Sequence, residues 1–221
     1  MYIEEIVVSA YAQNARIVAC EKTRKAIVVD PGDDGARFAR RLDELDFELQ
    51  AIALTHAHID HIGGVAELKK LRPDAEIILH RDDNLLYESL PEQPAWLGIP
   101  RAQWAMLNLI YDAPPSVERF WHDGEAYQVG ELSFDILHTP GHAPGHIVMY
   151  EARERIVIAG DTLFAGSIGR TDLPGGSYDE LIASIKTKIL PLGDDVRVLN
   201  GHGEATTVGR ERLTNPFLNS P

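Results

Sequence analysis

The chain alternates short apolar runs with polar punctuation. The runs are Ile3–Val8, Arg16–Cys20, Ala26–Val29, Ala51–Leu54, Glu76–Leu79, Leu132–Leu137, Ile147–Tyr150, Ile156–Ala159 and Val196–Leu199. Most are bounded by Gly, Pro, Asp or Asn, so they read as β-strands. Helical spacings lie between some of them. Phe38, Leu42, Leu45 and Leu49 recur at intervals of four and three, which predicts a helix starting near Asp33–Asp34 with one buried stripe. Ser177 and Glu180 form a capping box ahead of Leu181, Ile182, Ile185 and Ile189, and Pro191 is expected to stop that helix. Early strands follow one another as a meander, whereas later ones alternate with helices. The mixture predicts an α/β (α+β) chain with mixed sheets, against a purely parallel doubly wound sheet.

With 221 residues and 44% apolar side chains, the chain is long enough to bury a real core. A single domain over 1–221 is expected, with an insertion at about 84–122. That segment holds all three tryptophans and five of the thirteen prolines, and Ala102–Tyr111 suggests a short helix. It reads first as a connection packed on the core, and alternatively as a lid beside a substrate pocket.

Charge and cysteine content narrow the function. The formal net charge is −13 with no compensating basic stripe, which argues against nucleic acid as a partner. Cys20 is the single cysteine, so no internal disulfide forms, and it is expected as a small buried strand residue. Glu4 and Glu5, not a basic region, precede the first apolar stretch, and no run approaches the roughly 20 residues of a membrane span. A cytoplasmic protein without a membrane partner is the expectation. Oligomeric state leaves no mark in the sequence.

The chemistry concentrates at strand ends. Ala51–Leu54 runs directly into His56, His58, Asp60 and His61, followed by Gly63 and Gly64 and a predicted helix over Val65–Leu71. Four donors within six residues cannot share one face of a helix or strand, but a loop can converge them. Three further candidates each follow a predicted strand beside glycine: His142 in Thr139-Pro140-Gly141-His142, Asp161 in Ala159-Gly160-Asp161, and His202 in Asn200-Gly201-His202-Gly203. Imidazole and carboxylate donors without cysteine suit zinc, iron or manganese.

Thr55-His56-Ala57-His58-Ile59-Asp60-His61-Ile62-Gly63-Gly64, followed by the three later motifs in that order, resembles the metallo-β-lactamase superfamily. The resemblance runs from the Asp30-Pro31-Gly32 turn to His202. Gly160-Asp161-Thr162-Leu163-Phe164 and Gly169-Arg170-Thr171-Asp172 look most like its short glyoxalase II-like members, of the hydroxyacylglutathione hydrolase type. The fold implied is a four-layer αββα sandwich with two divalent metal ions at one edge, zinc first and iron or manganese as alternatives. By resemblance, His56, His58 and His142 hold one ion, Asp60, His61 and His202 hold the other, and Asp161 bridges them. His146 is implied as an outer hydrogen-bonding residue and not a ligand. His80, His122 and His138 are expected to be non-ligands, and Arg170 and Asp172 are expected to orient loops or ligands near the site or to form an ordinary loop ion pair.

The activity implied is hydrolysis of a thioester by a metal-bound hydroxide, with Asp60 as the catalytic carboxylate and S-lactoylglutathione as the leading small-molecule substrate. Larger glyoxalase II enzymes use a C-terminal helical region to bind glutathione, whereas this chain ends at Pro221, shortly after His202. Substrate-binding residues are therefore unassigned, with Lys186, Lys188, Arg210 and Arg212 as candidates. The alternatives are a persulfide dioxygenase using one iron at His56, His142 and Asp161, or a hydrolase of another thioester or ester. A β-lactamase or an RNA-processing nuclease fits less well, for want of an export signal or a second domain. A binding protein without activity is disfavoured because all seven donors are present.

Overall fold

A computed structural model describes residues 1–107 and 109–219. Asn108, inside the helix expected over 102–111, and Ser220 and Pro221, inside the expected domain 1–221, lie outside the described residues. Six strands form the first sheet in sequence order: β1 (Tyr2–Val8), β2 (Gln13–Ala19), β3 (Lys25–Val29), β4 (Glu48–Ala53), β5 (Glu76–His80) and β6 (Arg119–Trp121). β1 to β3 are antiparallel, and β3 to β6 are parallel. The parallel pairs require crossovers. The first is supplied by α1 (Gly35–Leu45), and the next includes α2 (Ile59–Ile62) and α3 (Val65–Leu71).

The second sheet comprises β7 (Ala126–Val129), β8 (Leu132–His138), β9 (Ile147–Glu151), β10 (Ile156–Gly160), β13 (Arg197–Asn200) and β14 (Thr206–Thr207), in the order β14-β13-β10-β9-β8-β7. β11 (Leu163–Phe164) and β12 (Ser167–Ile168) form a separate hairpin. β9 is antiparallel to both β8 and β10, and β13 is parallel to β10. Hence β8, β10 and β13 run in one direction and end at one edge.

Three apolar clusters separate four layers. Ile17, Val28, Ile52 and Ile77 face outward from the first sheet onto Phe38, Leu42 and Leu68. Their sequence neighbours Val18, Ile27, Val29, Ala51, Ala53 and Ile78 face inward and meet Phe134, Ile136, Met149 and Ile158 of the second sheet. Val148, Val157 and Val198 face outward onto Leu181, Ile185, Ile189 and Val208. The period-two alternation of a strand thus feeds a different interface on each face. This is the helix–sheet–sheet–helix sandwich that the resemblance implies.

Several local expectations change. Asp34 caps α1, its side chain accepting from the Arg37 amide at 3.1 Å, but Leu49 lies in β4 because Asp46, at φ 55°, ends the helix. The helix beginning at Tyr178 is regular only to Ser184. It widens into a π-helical turn over Ile185–Ile189 and passes through Pro191 in a 3₁₀ turn, Leu190–Leu192, so Pro191 is not the stop. Proline fits there because the first turn of a helix leaves amides without intrahelical partners. Among the described residues of 102–111, helix covers only 102–104, the end of the turn Arg101–Trp104. β6, β7, β11, β12 and β14 are too short or too weakly apolar to have been singled out. Cys20 is buried one residue beyond β2.

Candidate metal centre

The centre forms where the two sheets meet at one edge. The loop after β4 delivers His56, His58, Asp60 and His61. The ends of β8, β10 and β13 deliver His142, Asp161 and His202. Backbone hydrogen bonds lock these ends together. The Ile147 amide donates to Thr55 O across the sheets at 2.8 Å, and the Gly201 amide donates to Gly160 O at 2.7 Å. Close approach explains two glycines. A Cβ on Gly201 would stand 2.1 Å from Asp161 Oδ1, and one on Gly160, at φ 45°, would stand 2.5 Å from Thr55 Oγ1.

All seven side chains come together. Donor atoms of His56, His58 and His142 lie within 4.8 Å of one another, as do those of Asp60, His61 and His202. His142 Nε2 is 2.8 Å from His58 Nδ1 and 3.2 Å from His56 Nε2. His202 Nε2 is 3.0 Å from Asp60 Oδ2. Asp161 faces both groups: Oδ1 lies 3.3 Å from His61 Nε2, and Oδ2 lies 3.6 Å from His142 Nε2 and 3.5 Å from His202 Nε2.

The outer hydrogen bonds show which nitrogens carry lone pairs. His142 Nδ1–H donates to Arg170 O at 2.8 Å, His61 Nδ1–H to Asp30 Oδ2 at 3.0 Å, and His202 Nδ1–H to Tyr11 O at 3.1 Å. Thr55 Oγ1 gives its proton to Asp30 at 2.7 Å and therefore accepts from His56 Nδ1 at 3.1 Å. Each of these four rings consequently turns Nε2 toward the centre, where it offers a lone pair once the ring is neutral. Among the described residues, buried His61 Nε2 and Asp161 Oδ1 have no hydrogen-bond partner. Inward-facing lone pairs crowded to about 3 Å fit divalent cations and little else.

Electrostatics divide the donors. Burial, reinforced by neighbouring imidazoles, holds His56 well below its ordinary pKa and brings His58 down to about 3. Burial also lowers His61, but the Asp161 and Asp60 carboxylates outweigh it and hold His61 well above its usual value. Both carboxylates are lowered despite burial, chiefly by His61. Neutral imidazoles and ionised carboxylates are the forms that ligate metal, so a cation bound by His61 displaces its proton.

Three positions that the sequence did not single out as site residues brace the loop. Buried Asp30 orients His61 and accepts from the Thr55 amide at 2.7 Å. Buried Asp83 accepts from the Ala57 amide at 2.9 Å and from the Gly145 amide, tying the His56–His58 loop to the His142–His146 turn. Gln93 accepts from the Ile59 amide at 2.7 Å and donates to Ala57 O at 2.8 Å. Asp30 stands at a strand end beside Pro31 and Gly32, the same signal that marked Asp161. Asp83 and Gln93 carry no such signal.

His146 is buried, its Nε2 accepting from the Asp161 amide at 3.0 Å while its Nδ1 faces Thr139 and Thr162. It anchors the loop that carries Asp161. His80 and His138 stack on each other with ring centroids 4.1 Å apart, and with Asp82 their donor atoms form a separate close group. Arg170 pairs with Asp172 through two contacts of 2.7 Å.

A cavity of about 340 Å³ opens over the centre, with His58, Asp60, His142, Asp161 and His202 in its lining. Ile59, Trp96, Leu97, Phe164, Ile168 and Leu173 give it apolar walls. Trp96 and Leu97 belong to the 84–122 segment, which therefore shapes the cavity. Lys186, Lys188, Arg210 and Arg212 are not in the lining, and Lys188 and Arg212 pair instead with Asp123 and Asp194.

The sequence model of the metallo-beta-lactamase superfamily matches residues 10–202. The chain belongs to that superfamily. It is 41% identical over 220 residues to the hydroxyacylglutathione hydrolase GloC of Haemophilus influenzae, covering 100% of this chain and 99% of that protein. Among solved structures, the BLEG-1 B3 metallo-beta-lactamase superposes with a TM-score of 0.86 at 32% identity, covering 99% of this chain and 100% of that one. TTHA1623 in a di-iron-bound form superposes with a TM-score of 0.84 at 35% identity, covering 97% and 100%. No helix among the described residues is long and apolar enough to cross a membrane.

Proposed function

We propose that this member of the superfamily is a metal-dependent thioester hydrolase, with S-lactoylglutathione, split to lactate and glutathione, as the first substrate to test. The observation that carries the reading is Asp161, which faces two three-donor groups at the floor of an accessible cavity. Full-length likeness to GloC supports the choice of thioester.

His56, His58 and His142 would hold one ion, Asp60, His61 and His202 a second, with Asp161 shared between them. Zinc is the first choice, with iron or manganese accommodated by the same donors. Bound there, two divalent ions would polarise a carbonyl and make water nucleophilic near neutral pH. Asp60 lines the cavity and stays ionised, so its carboxylate can orient the attacking water as an acceptor. Outer acceptors on Tyr11, Thr55, Asp30 and Arg170 hold the ring N–H groups and keep the rings from turning. No serine or cysteine nucleophile is required. The persulfide-oxidising alternative would use His56, His142 and Asp161 around a single ion, leaving Asp60 and His202 without a part in the reaction.

Protein loaded with two metal equivalents should hydrolyse S-lactoylglutathione, followed as loss of thioester absorbance, and a chelator should abolish the activity. Asp60→Ala should lower turnover about a hundredfold or more. Near-normal turnover by that variant with full metal content would sink the role of Asp60. No turnover by fully loaded wild type, together with oxygen uptake on glutathione persulfide, would favour the alternative.

A further inference from the structure

The polar groups around the cavity are largely engaged already. Gln93 has its carbonyl on the Ile59 amide and its NH₂ on Ala57 O and Leu86 O. Arg170 is the one cationic side chain other than imidazole in the lining among the described residues, and Asp172 holds its guanidinium through two hydrogen bonds. The lactoyl hydroxyl and the glutathione carboxylates both need polar partners, and beyond the donors of the floor the lining offers two lightly engaged ones, the hydroxyls of Tyr11 and Ser167, the latter with a 3.5 Å contact to Ile168 O. Six apolar side chains instead flank the floor, two of them in the 84–122 segment. That segment carries further exposed apolar residues, Met106 and Ile110 among them.

We infer that the preferred substrate is a thioester whose acyl group is a hydrocarbon chain of several carbons, held between Ile59, Trp96 and Leu97 and Phe164, Ile168 and Leu173. The inference rests on the thioester reading above and assigns the acyl group to this cavity and the thiol part to its mouth. Hydrolysis then breaks the acyl carbon–sulfur bond. Oxygen from water joins the acyl carbon, giving the carboxylate, and the sulfur leaves as the thiol after proton transfer. Each methylene buried against the walls is worth about fourfold in binding. An α-hydroxyl that loses water without gaining a partner works in the opposite direction.

The test compares acetyl, lactoyl, butanoyl and hexanoyl thioesters of glutathione with the same acyl groups on N-acetylcysteamine, a neutral thiol, using metal-loaded protein and following thiol release. kcat/KM should rise at least about tenfold from lactoyl to hexanoyl on both thiols. Trp96→Ala, at a half-exposed position, and Leu97→Ser should each flatten that rise. Binding supplies a readout independent of turnover: S-hexylglutathione, which cannot be hydrolysed, should bind wild type at least about tenfold more tightly than S-methylglutathione by calorimetry, and Trp96→Ala should lose most of the difference. Lactoyl equal to or better than hexanoyl overturns the inference while leaving thioester hydrolysis intact. So does a preference that follows the thiol, or a rise that both variants leave unchanged. Cleavage of no thioester by fully loaded protein overturns the thioester reading itself.

Discussion

The two sheets supply the centre in opposite ways. The first contributes four donors from one loop, His56 to His61, packed into six residues after β4. The second contributes one donor from each of three strand ends, with His142, Asp161 and His202 spread over sixty residues of chain. A loop cluster depends on local turns and on braces against its backbone. A set spread over strand ends depends on sheet order and register. Damage to the first should therefore act through one loop, whereas damage to the second should act strand end by strand end, with Asp161 the one position of the three that faces both donor groups.

Asp161→Ala provides the sharpest break. It removes the carboxylate that faces both groups, so activity should fall about a thousandfold or more, the scale of losing one member of a set that acts as a unit. Metal analysis should show fewer than two equivalents bound. Two retained equivalents with activity within tenfold of wild type would mean that the groups operate independently.

Asp30→Asn acts on the first sheet alone. It keeps the side chain's shape but weakens its support of His61, so metal affinity should drop about tenfold to a hundredfold in chelator competition. Unchanged affinity would show that Thr55 and the packing orient the rings without Asp30.

Asp83→Ala tests the brace between the loop and the 142–146 turn. Two buried amides lose their acceptor, and stability should fall by about 2–5 kcal/mol in urea unfolding. A loss under about 1 kcal/mol would mean that the loops carry their own geometry. The smallest effect belongs to Asp172→Asn. Its pair with Arg170 is more than half exposed, so stability should stay close to that of wild type, while KM for an anionic thioester should fall as the guanidinium is freed. A KM unchanged across anionic and neutral thiols would place Arg170 outside substrate contact.

The pattern of residues made much of this readable in advance. The runs at Ala51–Leu54 and Ile156–Ala159 read as strands, and the donor cluster after the first and Asp161 beside Gly160 after the second marked the strand ends. Short range limited the rest. β6 has three residues and β14 has two, too few for periodicity to register. Leu49 continued the helical spacing of Phe38, Leu42 and Leu45, yet the chain reverses at Asp46, and local spacing cannot register a left-handed residue. Asp83 and Gln93 carry no pattern at all. Their roles exist only because buried amides of a distant loop need partners.

Composition, periodicity and motif spacing were enough to establish a mixed α/β chain, the donor types and the order of the strand-end motifs, because these depend on neighbours within a few residues. Tertiary structure alone decided that β8, β10 and β13 run in the same direction, that Asp161 faces two groups at once, and that the 84–122 segment walls an apolar cavity. These outcomes depend on pairings between residues far apart in the chain, where sheet register and burial, not local preference, set which atoms meet.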